Sequence, residues 1–481
     1  MIDTNAIRCK ILDLAIQGCL NDASAEDASL LVEQLSDKKE ELIKAKIIGK
    51  EKPYTDVTDE EKLFEIPNNW VWVRLGQICA QVTDGTHKTP KYQENGIPFL
   101  SVKNISSGVF DLSDIKYISP EEHTELIKRC KPELNDVLVC RIGTLGKAIK
   151  VNIDFDFSIF VSLGLIKPVI EDLSDYIVSV INSGYGTDWI RDNKAGGAMH
   201  TYKINLGSLR MLPIPLPPLS EQLIINRKTK VLFACLNDID SMQEDYSRNV
   251  SVLKTKVVEA SISGKFIDSH SSRKEVDGLF EEIEKKHEEL IKKKVIKKDK
   301  KLPEIKQEET PFDIPSTWKW VYMGDLFQHN TGKALNSSDK QGVLLEYITT
   351  SNMYWDRFEL DDLKKMHFKE DEVDKCTIKK GDLLICEGGD IGRSSIWPFD
   401  EEMRIQNHIH RLRGFIPEKI CVKYYYYLMW LYKQNGLING RGIGLQGFSS
   451  KRLHSLIVPF PPFKEQEKIA ESIEELLFYC K

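Results

Sequence analysis

The sequence has no Cys-x-x-Cys pair; its ten cysteines stand apart at 9, 19, 79, 130, 140, 235, 376, 386, 421 and 480. A zinc knuckle or a thioredoxin-like redox centre needs that spacing, so neither is indicated, and the thiols are expected to be free and buried. No apolar run approaches the ~18 residues of a membrane span. Met1-Ile2-Asp3-Thr4 has neither the basic flank nor the apolar stretch of a signal peptide, so a cytoplasmic protein is expected. Net charge is small, −6 over 481 residues, so any surface for a polyanion must come from local clustering. What is present, 41% hydrophobic and 29% charged residues, fits a folded chain of roughly two to four domains.

Catalytic signatures are missing as well. A P-loop needs Ser or Thr after Gly-Lys, and here Glu51, Ala148, Phe266 and Ala334 follow. An amino-methyltransferase loop needs Asn or Asp before Pro-Pro-Tyr/Phe. Phe460-Pro461-Pro462-Phe463 and Leu216-Pro217-Pro218-Leu219 have apolar residues there, and their prolines are expected to stop a strand and open a helix. Gly442, Gly444 and Gly447 match a dinucleotide-loop spacing, but behind the helical stretch Tyr424–Lys433 rather than a strand. His408 and His410 lack a third metal ligand at helical spacing and fit a packed strand. No metal site or catalytic set is expected.

The chain does contain a repeat. Ile66-Pro67-Asn68-Asn69-Trp70-Val71-Trp72 recurs as Ile314-Pro315-Ser316-Thr317-Trp318-Lys319-Trp320. Asn135-Asp136-Val137-Leu138-Val139-Cys140 recurs as Gly381-Asp382-Leu383-Leu384-Ile385-Cys386. Pro217-Pro218-Leu219-Ser220-Glu221-Gln222 recurs as Pro461-Pro462-Phe463-Lys464-Glu465-Gln466, the three offsets being 248, 246 and 244 residues. Ile7–Asp13, Ile16 and Gly18 match Leu253–Glu259, Ile262 and Gly264, and Glu40–Lys44 returns identically as Glu288–Lys292. Each repeat thus orders a helix tail, a charged helix, a Trp-containing domain, Pro-Pro-x-x-Glu-Gln and a helix head. The first head runs into the second tail, and the only tail left for the second head is the one at Met1. That circular order predicts a pseudo-twofold molecule with its termini together.

Ser220 is a suitable N-cap for a helix beginning at Glu221. Thr229, Leu232, Leu236, Ile239, Gln243, Tyr246, Val250, Leu253, Val257 and Ala260 then alternate by three and four, which predicts a coiled-coil seam. A helix from Glu221 to Ile262 would be ~63 Å long. Tyr424–Trp430 reads as a buried helix, Val137–Cys140 and Leu383–Cys386 as short strands, and 275–301 as a charged helix and linker with a solvated basic face.

In these paired motifs, and in Ala260-Ser261-Ile262-Ser263-Gly264-Lys265, the chain resembles the specificity subunit of type I restriction–modification systems over nearly its whole length. The resemblance implies an α+β fold: two similar α/β target-recognition domains joined by long antiparallel coiled-coil helices. The segments would be 1–64, N-terminal helices completing the C-terminal helical region; 65–218, the first recognition domain; 219–312, central helices and linker; 313–462, the second domain; and 463–481, a C-terminal helix. It further implies double-stranded DNA as ligand, each domain reading half of a split asymmetric target. Two modification (methyltransferase) subunits would dock on the helices, and restriction (motor-nuclease) subunits would join them, with no membrane involved. The chain itself would be non-catalytic and hold no cofactor; S-adenosylmethionine, ATP and Mg²⁺ would belong to its partners. A self-contained restriction-type methyltransferase or nuclease is the rival reading, against which the missing Asn/Asp-Pro-Pro motif counts. A purely coiled-coil assembly protein would leave two diverged domains without a purpose.

Aligned at an offset of 246, Thr83–Pro90 and His329–Asn336 differ where their surroundings agree, as expected of loops that select different bases. Candidate DNA-binding residues in the first domain are Thr86, His87, Lys88, Lys91, Tyr92, Arg141, Thr144, Lys147, Lys194, His200, Tyr202 and Lys203. In the second they are Lys333, Asn336, Ser337, Lys340, Arg393, Arg441, Gln446, Ser449, Lys451 and Arg452.

Overall fold

The computed structural model describes residues 1–196, 202–268, 271–297, 302–335, 340–438 and 447–480. The chain divides into two units, Met1–Glu244 and Asp245–Lys481, close to the point where the repeat restarts.

Unit 1 begins with helices α1 (Thr4–Ile16) and α2 (Ala28–Lys44), then strands β1 (Val71–Arg74), β2 (Cys79–Asp84), β3 (Ile97–Leu100) and β4 (Lys116–Ile118). It continues through α3 (Pro120–Ile127), β5 (Val137–Cys140), β6 (Ala148–Lys150), β7 (Ser158–Ile159) and β8 (Leu163–Pro168). Helices α4 (Ser174–Asn182), α5 (Gly184–Asp192) and α6 (Leu206–Arg210), strand β9 (Pro213–Leu216) and the 44-residue α7 (Leu219–Ile262) follow, α7 running past the division.

Unit 2 holds α8 (Arg273–Lys292), β10 (Lys319–Tyr322), α9 (Met323–Leu326), β11 (Phe327–Thr331), β12 (Val343–Ile348) and β13 (Lys364–Phe368). Next come α10 (Glu370–Cys376), β14 (Thr377–Ile378), β15 (Leu383–Cys386), β16 (Ser394–Ile396), β17 (Met403–Ile405) and β18 (Ile409–Gly414). Helices α11 (Val422–Gln434) and α12 (Ser450–His454), strand β19 (Ile457–Phe460) and helix α13 (Phe463–Phe478) complete it.

The two units share a common strand framework, to which unit 2 adds β14. Each has a four-stranded antiparallel sheet, ordered β2-β8-β5-β6 and β11-β18-β15-β16. Beside it lies a second sheet, three-stranded β4-β3-β7 in unit 1 and four-stranded β13-β12-β17-β14 in unit 2, each with one parallel pair. The opening and closing motifs form a two-stranded ribbon in the same register: Val71 opposite Leu216 and Trp72 opposite Pro215, Lys319 opposite Phe460 and Trp320 opposite Pro459. A ribbon strand has a free edge, so a proline without an N–H can be placed there.

The repeated anchors, distant in sequence, meet at one buried point in each unit. The Glu221 carboxylate accepts from Trp70 Nε1 at 2.8 Å, Asn69 Nδ2 at 2.7 Å, Ser24 N at 2.7 Å and Asn21 Nδ2 at 2.9 Å. In unit 2, Glu465 accepts from Trp318 Nε1 at 2.7 Å and Ser271 Oγ at 2.8 Å. The next residue of each motif caps the proline turn: Gln222 Nε2 donates to Pro217 O, and Gln466 Nε2 to Pro461 O. Gly18 and Gly264 end the repeated tail segments at φ +74° and +78°, and a Cβ on either would strike Pro67 or Pro315. Tail, Trp motif and Glu-Gln therefore form one interlock. Around it lie the main cores, with Ile16, Leu35, Tyr176 and Ile214 in unit 1 and Phe280, Tyr425, Met429 and Val458 in unit 2. The Tyr424–Trp430 stretch lies in α11 as expected, with Tyr424, Tyr425, Leu428 and Met429 fully buried.

Some local expectations change. α7 starts at Leu219, so Ser220 lies inside the first turn and its hydroxyl donates to Glu26 at 2.8 Å instead of capping. The thiols are free, but Cys9, Cys19 and Cys235 are exposed. The circular order predicts that the N-terminal tail completes the C-terminal helical region; within unit 1, α1 runs antiparallel along α7. Thr4 and Arg8 hold Asp240 at 2.5 and 2.8 Å, and Lys228 reaches Leu20 O at 2.6 Å. The heptad seam is covered only in part: Thr229 and Leu236 are buried, whereas Leu232, Tyr246 and Leu253 are exposed.

Candidate nucleic-acid interface

In each unit several loops meet at one end of the four-stranded sheet, held by the same backbone hydrogen bonds. After β2, Thr86 N donates to Ile159 O and Thr86 O accepts from Val161 N, both at 3.0 Å. After β11, Lys333 N donates to Ile405 O at 3.1 Å and Lys333 O accepts from Asn407 N at 3.0 Å. Gly85 and Gly332 precede these contacts because a Cβ would collide with the Ile159 or Ile405 carbonyl. The structural offset is therefore 247, one more than the sequence alignment uses, so Thr86 faces Lys333. The β5–β6 and β15–β16 turns join the cluster through Arg141 N to Ser162 O and Glu387 N to His408 O, each 2.9 Å. The segment after α5 or α11 is tied in by Ile204 N to Arg141 O at 3.0 Å and Phe448 N to Glu387 O at 2.8 Å.

The frame recurs, but the side chains that brace it do not. In unit 1, Arg141 is buried, bonds Asp84, and donates from Nε to Ile204 O at 3.1 Å. Arg129 and His87 complete the shell of the buried Asp84, His87 at 3.1 Å. Gly164 makes room: a Cβ there would lie 2.9 Å from Arg141 Cδ. The counterpart of Gly164 in β18 is His410, whose Nε2 donates to Phe448 O at 2.6 Å. Because a carbonyl only accepts, Nδ1 of neutral His410 is the acceptor for His329 Nε2 at 2.9 Å. Burial, and next the neighbouring His410, push His329 down to about 3, and burial lowers His410 as well. Ile204 and Phe448 are equivalent positions. Their carbonyls are held by an arginine on β5's end in one unit and by a histidine on β18 in the other.

Of the first-domain candidates, His87, Lys88, Lys91, Tyr92, Thr144, Lys194 and Lys203 are exposed, and Thr86, Lys147 and Tyr202 half-buried. Lys194 Nζ lies 4.6 Å above the Tyr202 ring, and Lys203 pairs through its backbone with Ala195. In the second domain Lys340, Ser449 and Lys451 are exposed, and Arg393 and Arg452 half-buried. Ser449 is the N-cap of α12, accepting from Arg452 N, and Arg452 lies over Phe448. Arg141 is turned inward, and the Lys333 ammonium is held by Glu372 at 2.6 Å and His367 O at 2.9 Å. His200, Asn336, Ser337, Arg441 and Gln446 lie outside the described residues, as do Gly442 and Gly444. Sequence reasoning missed Arg129, Tyr354 and Arg357, which join the cluster only through folding. Among the described residues no group of His, Cys, Asp and Glu could hold a metal, and no helix is long and apolar enough to cross a membrane.

The type I restriction modification DNA specificity domain matches residues 67–244 and again 315–477. The chain belongs to this family. It is similar to the EcoAI type I restriction enzyme specificity subunit of Escherichia coli, at 23% identity over 98% of this chain and 89% of that one. The EcoKI specificity subunit of Escherichia coli strain K12 is 20% identical over 86% of this chain and 84% of its own. A chain solved in work on complex assembly and conformational transition of the type I R-M system covers 87% of this chain and 92% of its own, with TM-score 0.58 and 17% identity, and shares the fold. As a type I specificity subunit the protein carries the specificity domain twice. Each matched span opens at the proline of the Trp motif and runs past Glu-Gln into the head helix, so it contains the Trp–Glu half of the interlock and the loop cluster.

Proposed function

We propose that each specificity domain of this subunit reads one half of a bipartite, asymmetric double-stranded DNA target through its loop cluster, and that the helices set the spacer. The observation that carries this is a repeated backbone frame presenting unlike side chains: Thr86 against Lys333, Arg141 against Glu387, Gly164 against His410 and Lys147 against Arg393. Exposed basic and polar loop groups are suited to phosphates and base edges. In this reading His87, Lys88, Lys91, Tyr92, Thr144, Lys194, Lys203, Lys340 and Lys451 face the duplex, while Arg141 and Lys333 hold the frame. The subunit contributes address and geometry and no catalysis. Two modification subunits bring S-adenosylmethionine, and motor-nuclease subunits bring ATP and Mg²⁺. Exposed apolar residues of α7, among them Leu223, Val231, Met242 and Val252, support docking of the modification subunits there. Such a complex works on cellular DNA, which puts it in the cytoplasm.

Exchange of residues 65–218 for the same stretch of a relative should rewrite one half-site and leave the other intact, read by single-molecule methylome sequencing of the host. Changes in both halves, or in neither, would overturn the reading. Insertion of one heptad into α7 should change the spacer and neither half-site; altered half-site bases would count against the spacer role.

A further inference from the structure

The turn after β12 presents side chains that the same turn in unit 1 lacks. Tyr354 is half-buried, and its N–H donates to Arg357 O at 2.9 Å across a tight turn in which Asp356 has φ +60°. The equivalent turn after β3 has Gly108 at φ +89°, with Ser106 and Val109 where unit 2 has Tyr354 and Arg357. In unit 2 the Tyr354 ring is flanked by two guanidiniums, Arg357 at 4.4 Å and Arg393 at 5.3 Å. Arg393, the counterpart of Lys147, donates to Thr350 O at 2.6 Å and so fastens this turn to the loop cluster. It is largely covered, with 16% of its side chain exposed, whereas Arg357 is 62% exposed. The carboxylate on Arg357 is Glu359, bonded through one Nη at 3.2 Å.

We propose that Arg357, braced on Tyr354 against Arg393, is a base-reading residue of the second specificity domain, its guanidinium fork addressing a guanine edge in the major groove. A planar fork of donors matches the O6/N7 acceptor pair of guanine. Stacking on tyrosine holds the fork in one orientation before DNA arrives, which reduces the entropy lost on binding. Unit 1, with Ser106 and Val109 on the same turn, has no such reader, and the two domains accordingly select different bases. The inference rests on the loop cluster being the DNA-facing surface.

The test uses the subunit assembled with its modification subunits, measuring affinity for its methylated target sequence and for every single-base variant, at several salt concentrations. Arg357→Ala should lose roughly 10- to 100-fold in affinity for the target. It should also abolish the preference at one G·C pair of the half-site assigned to the second domain, with the salt slope unchanged. Arg357→Lys, which keeps the charge and loses the fork, should show the same lost preference. Tyr354→Ala should weaken it and Tyr354→Phe restore it. Uniform weakening over all sequences with a shallower salt slope would mark a phosphate contact and overturn the proposal, as would an unchanged base preference. If the unaltered complex discriminates among bases while Arg357→Ala discriminates equally well, this inference alone fails. If the unaltered complex shows no preference, the DNA-reading function fails with it.

Discussion

Glu221→Ala is expected to destabilise unit 1 by about 3–5 kcal/mol, the range for removing one side of a buried, charged hydrogen-bonded set. The carboxylate is fully buried in the first turn of α7, where the helix N-terminus favours a negative charge. Its removal leaves the Trp70 indole and the Ser24 N–H without their acceptor, and leaves the Asn21 and Asn69 amides with backbone carbonyls alone. Trp70→Phe removes one donor and part of a buried ring but leaves the carboxylate and its other donors in place, and should cost less, about 1.5–3 kcal/mol. Denaturant unfolding would separate the two, provided the slope stays constant and only the midpoint moves. Acid supplies a second readout. Burial on its own would push Glu221 up, but the hydrogen bonds from Ser24, Trp70 and Asn69 together outweigh it and hold the group below the ordinary carboxylate value. A depressed folded value means the contribution is complete above the unfolded carboxylate's pKa and disappears as pH falls through the folded one. The stability difference between wild type and Glu221→Ala should therefore shrink on acidification below about pH 4.5. A difference that stays constant into acid would mean the carboxylate's charge contributes nothing.

Gly18→Ala and Gly264→Ala should each cost about 2–5 kcal/mol, combining a left-handed backbone with an overfilled contact. At Gly18 the new Cβ would lie 2.5 Å from Pro67 Cγ; at Gly264, 2.9 Å from both Pro315 Cγ and Trp318 Cη2. Gly143, at φ +82° with nothing within 4 Å of its Cβ, separates the two contributions. Gly143→Ala should cost only the backbone share, about 1–2 kcal/mol. Equal losses at Gly18 and Gly143 would mean that the proline contact carries no weight.

These two predictions concern the part of the protein most legible in its sequence, for a physical reason. Trp70, Glu221 and Gly18 bond or touch across the fold, so neither repeat can change one without stranding another, and the motifs stay recognisable. The short apolar strands Val137–Cys140 and Leu383–Cys386 are equally readable because every residue in them is buried, and the aromatic helix around Tyr425 because one whole face of it, Tyr424, Tyr425, Leu428 and Met429, is. The loop cluster was legible in position but not in role. Arg141 looks like a surface cation on a Gly-rich turn, yet it is buried on Asp84. Nothing in the local sequence says that Gly164, far along the chain, has left space for it. The carbonyl that Arg141 holds in one unit is held by His410 in the other, from a different strand, so comparing the repeats position by position hides the shared task. Tyr354 and Arg357 escaped notice because their partner Arg393 is brought to them by a different strand pair.

The ribbon that closes each domain has a further consequence. Val71 and Leu216 are direct neighbours across it, as are Lys319 and Phe460, so the chain leaves the framework and comes back through a neck only one strand spacing wide, about 5 Å. Everything between is an excursion whose two ends are already tied together. Genetic recombination that replaces the excursion and respects the neck carries most of the domain's core with it and leaves in place the α1 and α2 residues, Ala15, Ile16, Leu31 and Leu35, that close it from outside. Such a gene can acquire a new address in a single event, with no run of intermediates that each must fold and read something.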